Sequence, residues 1–216
     1  MGWEHLRLWA NVEEQRIRQC ILEALYRLIE SRQVSPQDNE LSISGKLRPF
    51  LEKRKKELRL AWTFHSEASC FAKPDAPKPI GHPDFRFSQN TPDDNQYDYD
   101  IECKLVRIKR QGKTRDYCEQ YVTDGIHRFQ SRKYAQSSPH MGTMIGYLQE
   151  GDTLQLLELV NATVNNQGWN QLDLVQVVNN QRVTHLNQHI LREDEGFILI
   201  HLWADVRLNS LESTPT

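Results

Sequence analysis

Apolar residues recur at three- and four-residue steps in the first part of the chain, which is the spacing of one face of a helix. Ile17, Ile21, Leu25 and Leu28 follow this spacing, and neither proline nor an internal glycine interrupts it. The pattern therefore predicts one long helix over residues 4–33.

A second helical pattern follows and leads into a short strand. Ser35 and Pro36 are typical of a helix start, with the proline near the first turn. Apolar residues then continue to Leu51, while Gly45 and Pro49 are expected to break or kink this helix. Aromatic and β-branched residues between positions 58 and 66 predict the first strand.

The clearest strand pattern lies between residues 97 and 105, where apolar and polar residues alternate. Because side chains alternate between the two faces of a strand, Glu102 and Lys104 share one face. A turn over Thr91–Asn95 connects this strand to a shorter one at Phe85–Phe87.

The rest of the chain adds helices and strands in mixed order. We predict a helix over 116–133, a strand over 141–148, a helix over 152–165 capped by Asp152, strands over 182–191 and 197–206, and a frayed tail over 209–216. This order favours the α/β or α+β class, with a mixed sheet flanked by helices. We expect a helical extension (1–36), one main domain (37–208) and a flexible tail (209–216).

Composition limits the class of protein. The chain has 216 residues, 38% of them hydrophobic, with a mean hydropathy of −0.69, which is typical of a soluble globular protein. The longest apolar run, residues 197–203, is too short to cross a bilayer, and the N-terminus lacks the pattern of a signal peptide. The four cysteines form no Cys-x-x-Cys pair, so we expect a reduced, cytoplasmic protein without disulfides or zinc.

Charge is unevenly distributed, although the net charge is only −2. Residues 84–102 contain six acids and one base, whereas residues 104–133 contain nine bases and three acids. A protein that binds a polyanion next to a metal site needs such a division. The alternative is a strand hairpin with a solvated, charged edge that discourages aggregation.

Two carboxylates and a lysine suggest the chemistry. Mg²⁺ accepts a few carboxylates and keeps several waters, so Asp84 and Glu102 would suffice with the backbone carbonyl of Cys103 as a third ligand. Lys104 would orient or deprotonate the attacking water, or stabilise the transition state by its charge. Asp93 and Asp100 are alternatives to Asp84 as the second acid.

These residues resemble a known signature. Pro83-Asp84, followed after 17 residues by Glu102-Cys103-Lys104, resembles the motif of the PD-(D/E)XK nuclease superfamily. The resemblance implies a restriction-endonuclease-like mixed sheet flanked by helices and Mg²⁺-dependent cleavage of DNA, with Mn²⁺ as a possible substitute. It also implies metal ligation by Asp84 and Glu102 and a catalytic role for Lys104.

The same resemblance adds residues outside the main motif. Many members carry an acid on the helix before the core, and Glu40 matches that position as a fourth catalytic and metal-binding residue. Some carry a Gln-x-x-x-Tyr pair on the later helix, as in Gln130 and Tyr134. A role in prokaryotic anti-phage defence or restriction is implied by the resemblance alone.

Further residues have a functional and a structural interpretation. His127, His189, His201 and Arg192 are possible phosphate contacts, although such residues commonly serve packing or the surface. The run Lys53–Lys56 is either a stripe that contacts a phosphate backbone or a solvated helix face.

The sequence thus predicts a metal-dependent DNA endonuclease. One alternative is a nuclease-fold subunit that binds nucleic acid or supports assembly without its own catalysis, and another is a nuclease acting on RNA. The long first helix would suit a homo-oligomer or a defence-system partner protein. We expect no membrane partner.

Overall fold

Helices form where the apolar spacing predicts them. The computed structural model describes residues 3–67, 69–70, 81–90, 96–110, 112–136, 141–178, 182–191 and 196–207. Its helices are α1 (Trp3–Ser31), α2 (Glu40–Glu57), α3 (Cys118–Gln120), a π-helix (Tyr121–Ile126), α4 (His127–Gln130) and α5 (Thr153–Asn166). The helices predicted over 4–33 and 152–165 are confirmed, and the Asp152 side chain accepts hydrogen bonds from two backbone N–H groups at the start of α5.

Helix α2 corrects the sequence-based prediction at its start and in its middle. It begins at Glu40, because the side chain of Asn39 accepts a hydrogen bond from the Ser42 N–H. It then runs without interruption through Gly45 and Pro49, so the predicted break is wrong. The apolar side chains on both sides of Pro49 are buried, and this packing outweighs the poor helix propensity of the two residues.

The described strands form one eight-stranded sheet. They are β1 (Thr63–Ser66), β2 (Phe85–Asn90), β3 (Gln96–Arg110), β4 (Lys113–Asp116), β5 (Met141–Leu148), β6 (Leu172–Val178), β7 (Val183–Leu191) and β8 (Gly196–Asp205). The spatial order is β1-β2-β3-β5-β8-β7-β6, and β4 pairs with β3. Strand β1 is shorter than predicted, and the sequence pattern did not reveal β4 or β6. The helix predicted over 116–133 is observed as three short consecutive helices over 118–130. The turn 91–95 and the tail 209–216 lie outside the described residues.

The sheet is mixed and carries helices on both faces. Strands β3, β5 and β8 run parallel, while the other pairings are antiparallel. Neighbouring residues of β5 belong to different cores: Ile145 packs with residues of α1 and α2, whereas Met144 packs with residues of the π-helix and α5. This alternation confirms a mixed α/β architecture.

Strand β3 lies inside the sheet, between β2 and β5. Its acids are therefore buried: Asp98, Asp100 and Glu102 are 5%, 0% and 1% exposed. The interpretation of this segment as a solvated, charged edge is wrong. The alternation correctly separated two faces, but both faces are covered.

Helix α1 contributes to the same core as the sheet. Ile17, Ile21, Leu25 and Leu28 are fully buried in a cluster that also contains residues of α2, β3 and β8. The domain boundary predicted at residue 36 stays a prediction. The apolar stripe of α1, however, packs against other parts of the same chain. None of the helices in the described residues is both long and apolar enough to cross a membrane.

Candidate functional site

Two segments that are distant in the chain meet at one stretch of strand β3. Antiparallel pairing of β2 with β3 sets Phe85 opposite Ile101, which brings the preceding residue, Asp84, next to Glu102 and Cys103. Glu40, the first residue of α2, reaches the same side of β3 and contacts Lys104. The four residues predicted as a site therefore lie together. We call them, with Arg128, the polar cluster.

Asp84 is fixed by a backbone hydrogen bond. Its Oδ2 accepts from the N–H of Cys103 at 2.7 Å, between the two charged residues of β3. Burial raises the pKa of the Asp84 carboxyl, and the hydrogen bond and the charge of Lys104 only partly oppose this effect. The site therefore holds this carboxylate in a position where a cation would stabilise its charge.

Glu102 is the most deeply buried acid of the polar cluster. Its Oε1 contacts Lys104 Nζ at 2.7 Å and Arg128 Nη1 at 2.6 Å. Its Oε2 is buried and has no hydrogen-bond partner among the described residues. Burial, together with the charge of Asp84, raises the pKa of Glu102 to about 7 despite the two cations.

Lys104 is held by carboxylates on two sides. Its Nζ lies 2.9 Å from Glu40 Oε1 and 2.7 Å from Glu102 Oε1, and it donates to the Cys103 carbonyl at 3.1 Å. Burial lowers the pKa of Lys104, but the charges of Glu102 and Glu40 outweigh burial and raise the pKa above its ordinary value. Of the roles suggested by the sequence, this environment favours stabilisation by charge over deprotonation of water.

Two carboxylates take the place of a neighbouring strand along part of β3. They accept hydrogen bonds from backbone N–H groups that β2 does not reach. Residues 102–106 lie beyond the last paired residue, Ile101. Asp84 accepts from the Cys103 N–H, and Glu40 Oε2 accepts from the Leu105 N–H at 3.1 Å. Since buried backbone donors need partners, the sheet itself holds these two acids in place.

Arg128 belongs to the polar cluster although the sequence did not single it out. It lies on α4, donates to Glu102 Oε1 and to the Tyr134 hydroxyl at 2.7 Å, and Tyr134 donates to the His82 carbonyl. Of the pair Gln130 and Tyr134, the tyrosine thus reaches the site through Arg128. In the sequence, Arg128 is visible only as a base beside the apolar residues of a predicted helix. Its partner, Glu102, lies 26 residues away, so local patterns do not connect the two.

Among the alternative acids, Asp100 has a different role. Both of its carboxylate oxygens accept from Arg86, at 2.6 and 3.0 Å, and Oδ2 also accepts from the Ala135 N–H. Asp100 therefore fixes the segment after α4 instead of offering free oxygens. Asp93 lies outside the described residues.

Of the three histidines singled out by the sequence, one is buried and two are exposed. His201 is fully buried, shares a hydrogen bond of 2.8 Å with the Tyr121 hydroxyl, and has its pKa lowered to about 3 by burial. His127 is exposed and stacks on Trp169, and His189 is exposed on β7. Arg192 lies outside the described residues.

A cleft of about 170 Å³ opens beside Asp84, between α2 and the start of β2. Gly45 and Arg48 of α2 and Glu67 after β1 form part of its wall. A Cβ atom at Gly45 would meet no heavy atom within 4 Å, so the helix leaves open space on this side. Asp84 therefore lines a space that is open to solvent.

The residues present can be compared with the needs of Mg²⁺. Among the described residues, no group of three or more His, Cys, Asp and Glu side chains is arranged to hold a metal ion. Asp84 and Glu102 nevertheless offer oxygen donors, and the buried Glu102 Oε2 without a partner marks an unmet interaction. This set fits a Mg²⁺ ion that takes two carboxylates and keeps most of its waters.

Comparisons of the whole chain with known proteins found no match, so a proposal about function has to start from the polar cluster. No protein-family model, no curated protein and no solved structure matches the chain.

Proposed function

We propose that this protein is a metal-dependent nuclease of the PD-(D/E)XK type that hydrolyses phosphodiester bonds in DNA, within a prokaryotic defence or restriction system. One observation carries the proposal. Glu40, Asp84 and the Glu102–Lys104 segment come from three separate parts of the chain, and they meet within hydrogen-bond distance of one stretch of β3. The proposed fold type and the defence role rest on the motif resemblance.

The residues divide the chemical work among themselves. The carboxylates of Asp84 and Glu102, with the Cys103 carbonyl, would hold Mg²⁺, and Glu40 holds the Lys104 amine in place. When bound, Mg²⁺ supplies polarisation of the phosphoryl oxygens and a more acidic water. Lys104 stays protonated between Glu102 and Glu40 and stabilises the negative charge that develops on the phosphate. Arg128 holds the buried Glu102 in orientation.

A second candidate is supported by the internal contacts of the same residues. Asp84 and Glu40 each accept from a backbone N–H, and Glu102 is ion-paired with two cations. A cluster with these contacts could serve the fold alone, in a nucleic-acid-binding or assembly subunit without catalysis. The two functions differ in what neutral substitutions do to cleavage and to stability.

The test compares cleavage by the unsubstituted protein with cleavage by two neutral variants, Asp84→Asn and Lys104→Met. The substrates are supercoiled plasmid, single-stranded DNA and RNA, each with Mg²⁺ or Mn²⁺. We expect both variants to lose roughly 100-fold or more of the cleavage rate, because Asp84→Asn weakens the hold on Mg²⁺ and Lys104→Met removes the charge that stabilises the reacting phosphate. Glu158→Gln changes one charge at an exposed position of α5 and should cleave normally.

Stability measurements on the same variants separate the two candidates. Asn at position 84 can still accept from the Cys103 N–H and removes a carboxylate whose ionisation burial opposes, so we expect an unchanged or higher Tm. Equal cleavage by all proteins would reject the site. Absence of cleavage together with a strongly lowered Tm in both variants would favour the structural candidate, and cleavage of RNA alone would favour the RNA nuclease.

A further inference from the structure

The far end of β3 forms a two-stranded ribbon with β4. Residues 107–110 pair antiparallel with residues 113–116, so that Ile108 lies opposite Arg115 and Lys109 opposite Thr114. All four residues of β4 are exposed. This pair of segments is called the basic ribbon below.

The basic ribbon carries more positive charge than its ion pairs within the described residues neutralise. Residues 107–116 include five bases and one acid. Arg107 pairs with Asp116 at 2.5 Å, and Lys109 approaches Glu150 at 3.7 Å. No ion pair to Lys113 or Arg115 occurs within the described residues, and both side chains are exposed. Since β4 buries no side chain, packing does not explain its composition.

The basic ribbon and part of the polar cluster lie on one continuous strand. The same strand, β3, contains Glu102 and Lys104 in its middle and Lys109 near its end. The register shift between Leu105 and Arg107 shortens the path, so at about 3.3 Å per residue Lys109 lies at most roughly 16 Å from Lys104 along the strand. Phosphates of one DNA strand recur about every 3.4 Å along the duplex, so one duplex is long enough to reach both places.

We propose that the basic ribbon binds the phosphate backbone of a DNA duplex and holds the duplex against the polar cluster. The inference rests on the proposed nuclease function and names the surface that carries its substrate. The charge of the ribbon is complementary to DNA, and a two-stranded ribbon has dimensions that a major groove accepts. The anchoring residues are Lys113 and Arg115.

The stripe Lys53–Lys56 of α2 is the competing surface, and it is less suited to the role. Its arginine, Arg54, is already paired with Glu23 and Glu57. Lys53 and Lys56 are exposed like the ribbon cations, but they lie farther from the polar cluster, about 20 and 24 Å from Glu40 along α2 at 1.5 Å per residue. Reversal of their two charges therefore gives a matched control.

The experiment measures binding of a fluorescent DNA duplex by anisotropy, in EDTA to prevent cleavage, over a series of salt concentrations. It compares the unsubstituted protein with the double variant Lys113→Glu/Arg115→Glu and the control Lys53→Glu/Lys56→Glu. We expect the ribbon variant to bind about tenfold or more weakly at moderate salt. Its slope of log K against log salt should fall by about two, since each phosphate contact contributes about 0.9.

The outcomes separate this inference from the proposed function. Loss of duplex binding in the ribbon variant alone supports the inference, whether or not the protein cleaves DNA in Mg²⁺. An equal loss in both double variants means that only net charge matters and overturns it. Unchanged binding by the ribbon variant, or no duplex binding by the unsubstituted protein, also overturns it. Circular dichroism checks that both variants are folded.

Discussion

Burial sets the ionisation of single residues in this protein, and Glu14 shows the effect outside the polar cluster. Glu14 lies on α1, is 1% exposed, and accepts a hydrogen bond from the Tyr97 hydroxyl. Its Oε2 has no hydrogen-bond partner among the described residues. Burial raises the pKa of Glu14 from 4.5 to about 7, although the Tyr97 hydrogen bond opposes the change.

The raised pKa predicts how stability depends on pH. Between 4.5 and about 7 the folded protein holds a proton on Glu14 that the unfolded chain has released, so this residue lowers stability as the pH rises through that interval. Over this interval the raised pKa of Glu14 lowers the free energy of unfolding by about 3 kcal/mol in total. Glu14→Gln removes it, and we expect the stability of the variant relative to the unsubstituted protein to increase by about 2–3 kcal/mol from pH 5 to pH 8.

Urea unfolding at the two pH values measures this change. Glu30→Gln, an exposed carboxylate on the same helix, is the control and should follow the unsubstituted protein at both pH values. A difference between Glu14→Gln and the unsubstituted protein that is the same at pH 5 and pH 8 would contradict the prediction.

At the level of elements, two glycines show that the same residue type has opposite effects in a helix and in a strand. Gly45 lies in the middle of α2 with open space where a Cβ would be, whereas Gly146 lies on β5. A Cβ on Gly146 would come within 2.5 Å of the Trp203 ring and 2.9 Å of a Val106 methyl. Trp203 and Val106 are fully buried, so neither can move aside easily.

The same substitution should therefore change stability in opposite directions. Gly45→Ala should stabilise the protein by about 1 kcal/mol, because alanine favours the helix and meets nothing. Gly146→Ala should destabilise it by about 1–3 kcal/mol through overpacking. Thermal and urea unfolding of the two variants under identical conditions test both values, and a loss at Gly45 or no loss at Gly146 would argue against the described packing.

At the level of the whole molecule, α1 covers one face of the sheet and is part of its core. Ile17, Ile21 and Leu25 share a cluster with Ile145 of β5 and Leu202 of β8. An exposed apolar surface of this kind is unfavourable in water, because burial of apolar area stabilises the folded state by roughly 25 cal/mol per Å². Removal of α1 would leave this face of the sheet partly open.

Deletion of residues 1–36 therefore tests whether this segment is an extension or a part of the domain. We expect the truncated chain to lose its cooperative thermal unfolding and to aggregate, as measured by circular dichroism and light scattering. A truncated chain that unfolds cooperatively near the original Tm would instead show that residues 37–216 fold on their own, as the sequence-based domain boundary states.

Part of the polar cluster could be predicted from the sequence, because the alternation of side chains along a strand is a local property. Period two places Glu102 and Lys104 on one face of β3, and their contact at 2.7 Å agrees with this. The approach of Asp84 followed from the expected pairing of two strands across a turn. Arg128 could not be found in this way, since its contact with Glu102 depends on how α4 packs on the sheet.

The sequence by itself determined the long helices, the alternation of β3 and the short list of acids, because these depend on neighbours within a few residues. Only the tertiary structure decided that both faces of β3 are buried, that α2 continues through Pro49, and that Arg86 neutralises Asp100. These outcomes depend on which segments pack together. A carboxylate on a strand is a surface charge, an ion-pair partner or a candidate ligand according to what the rest of the chain places against it, and that choice is made by packing.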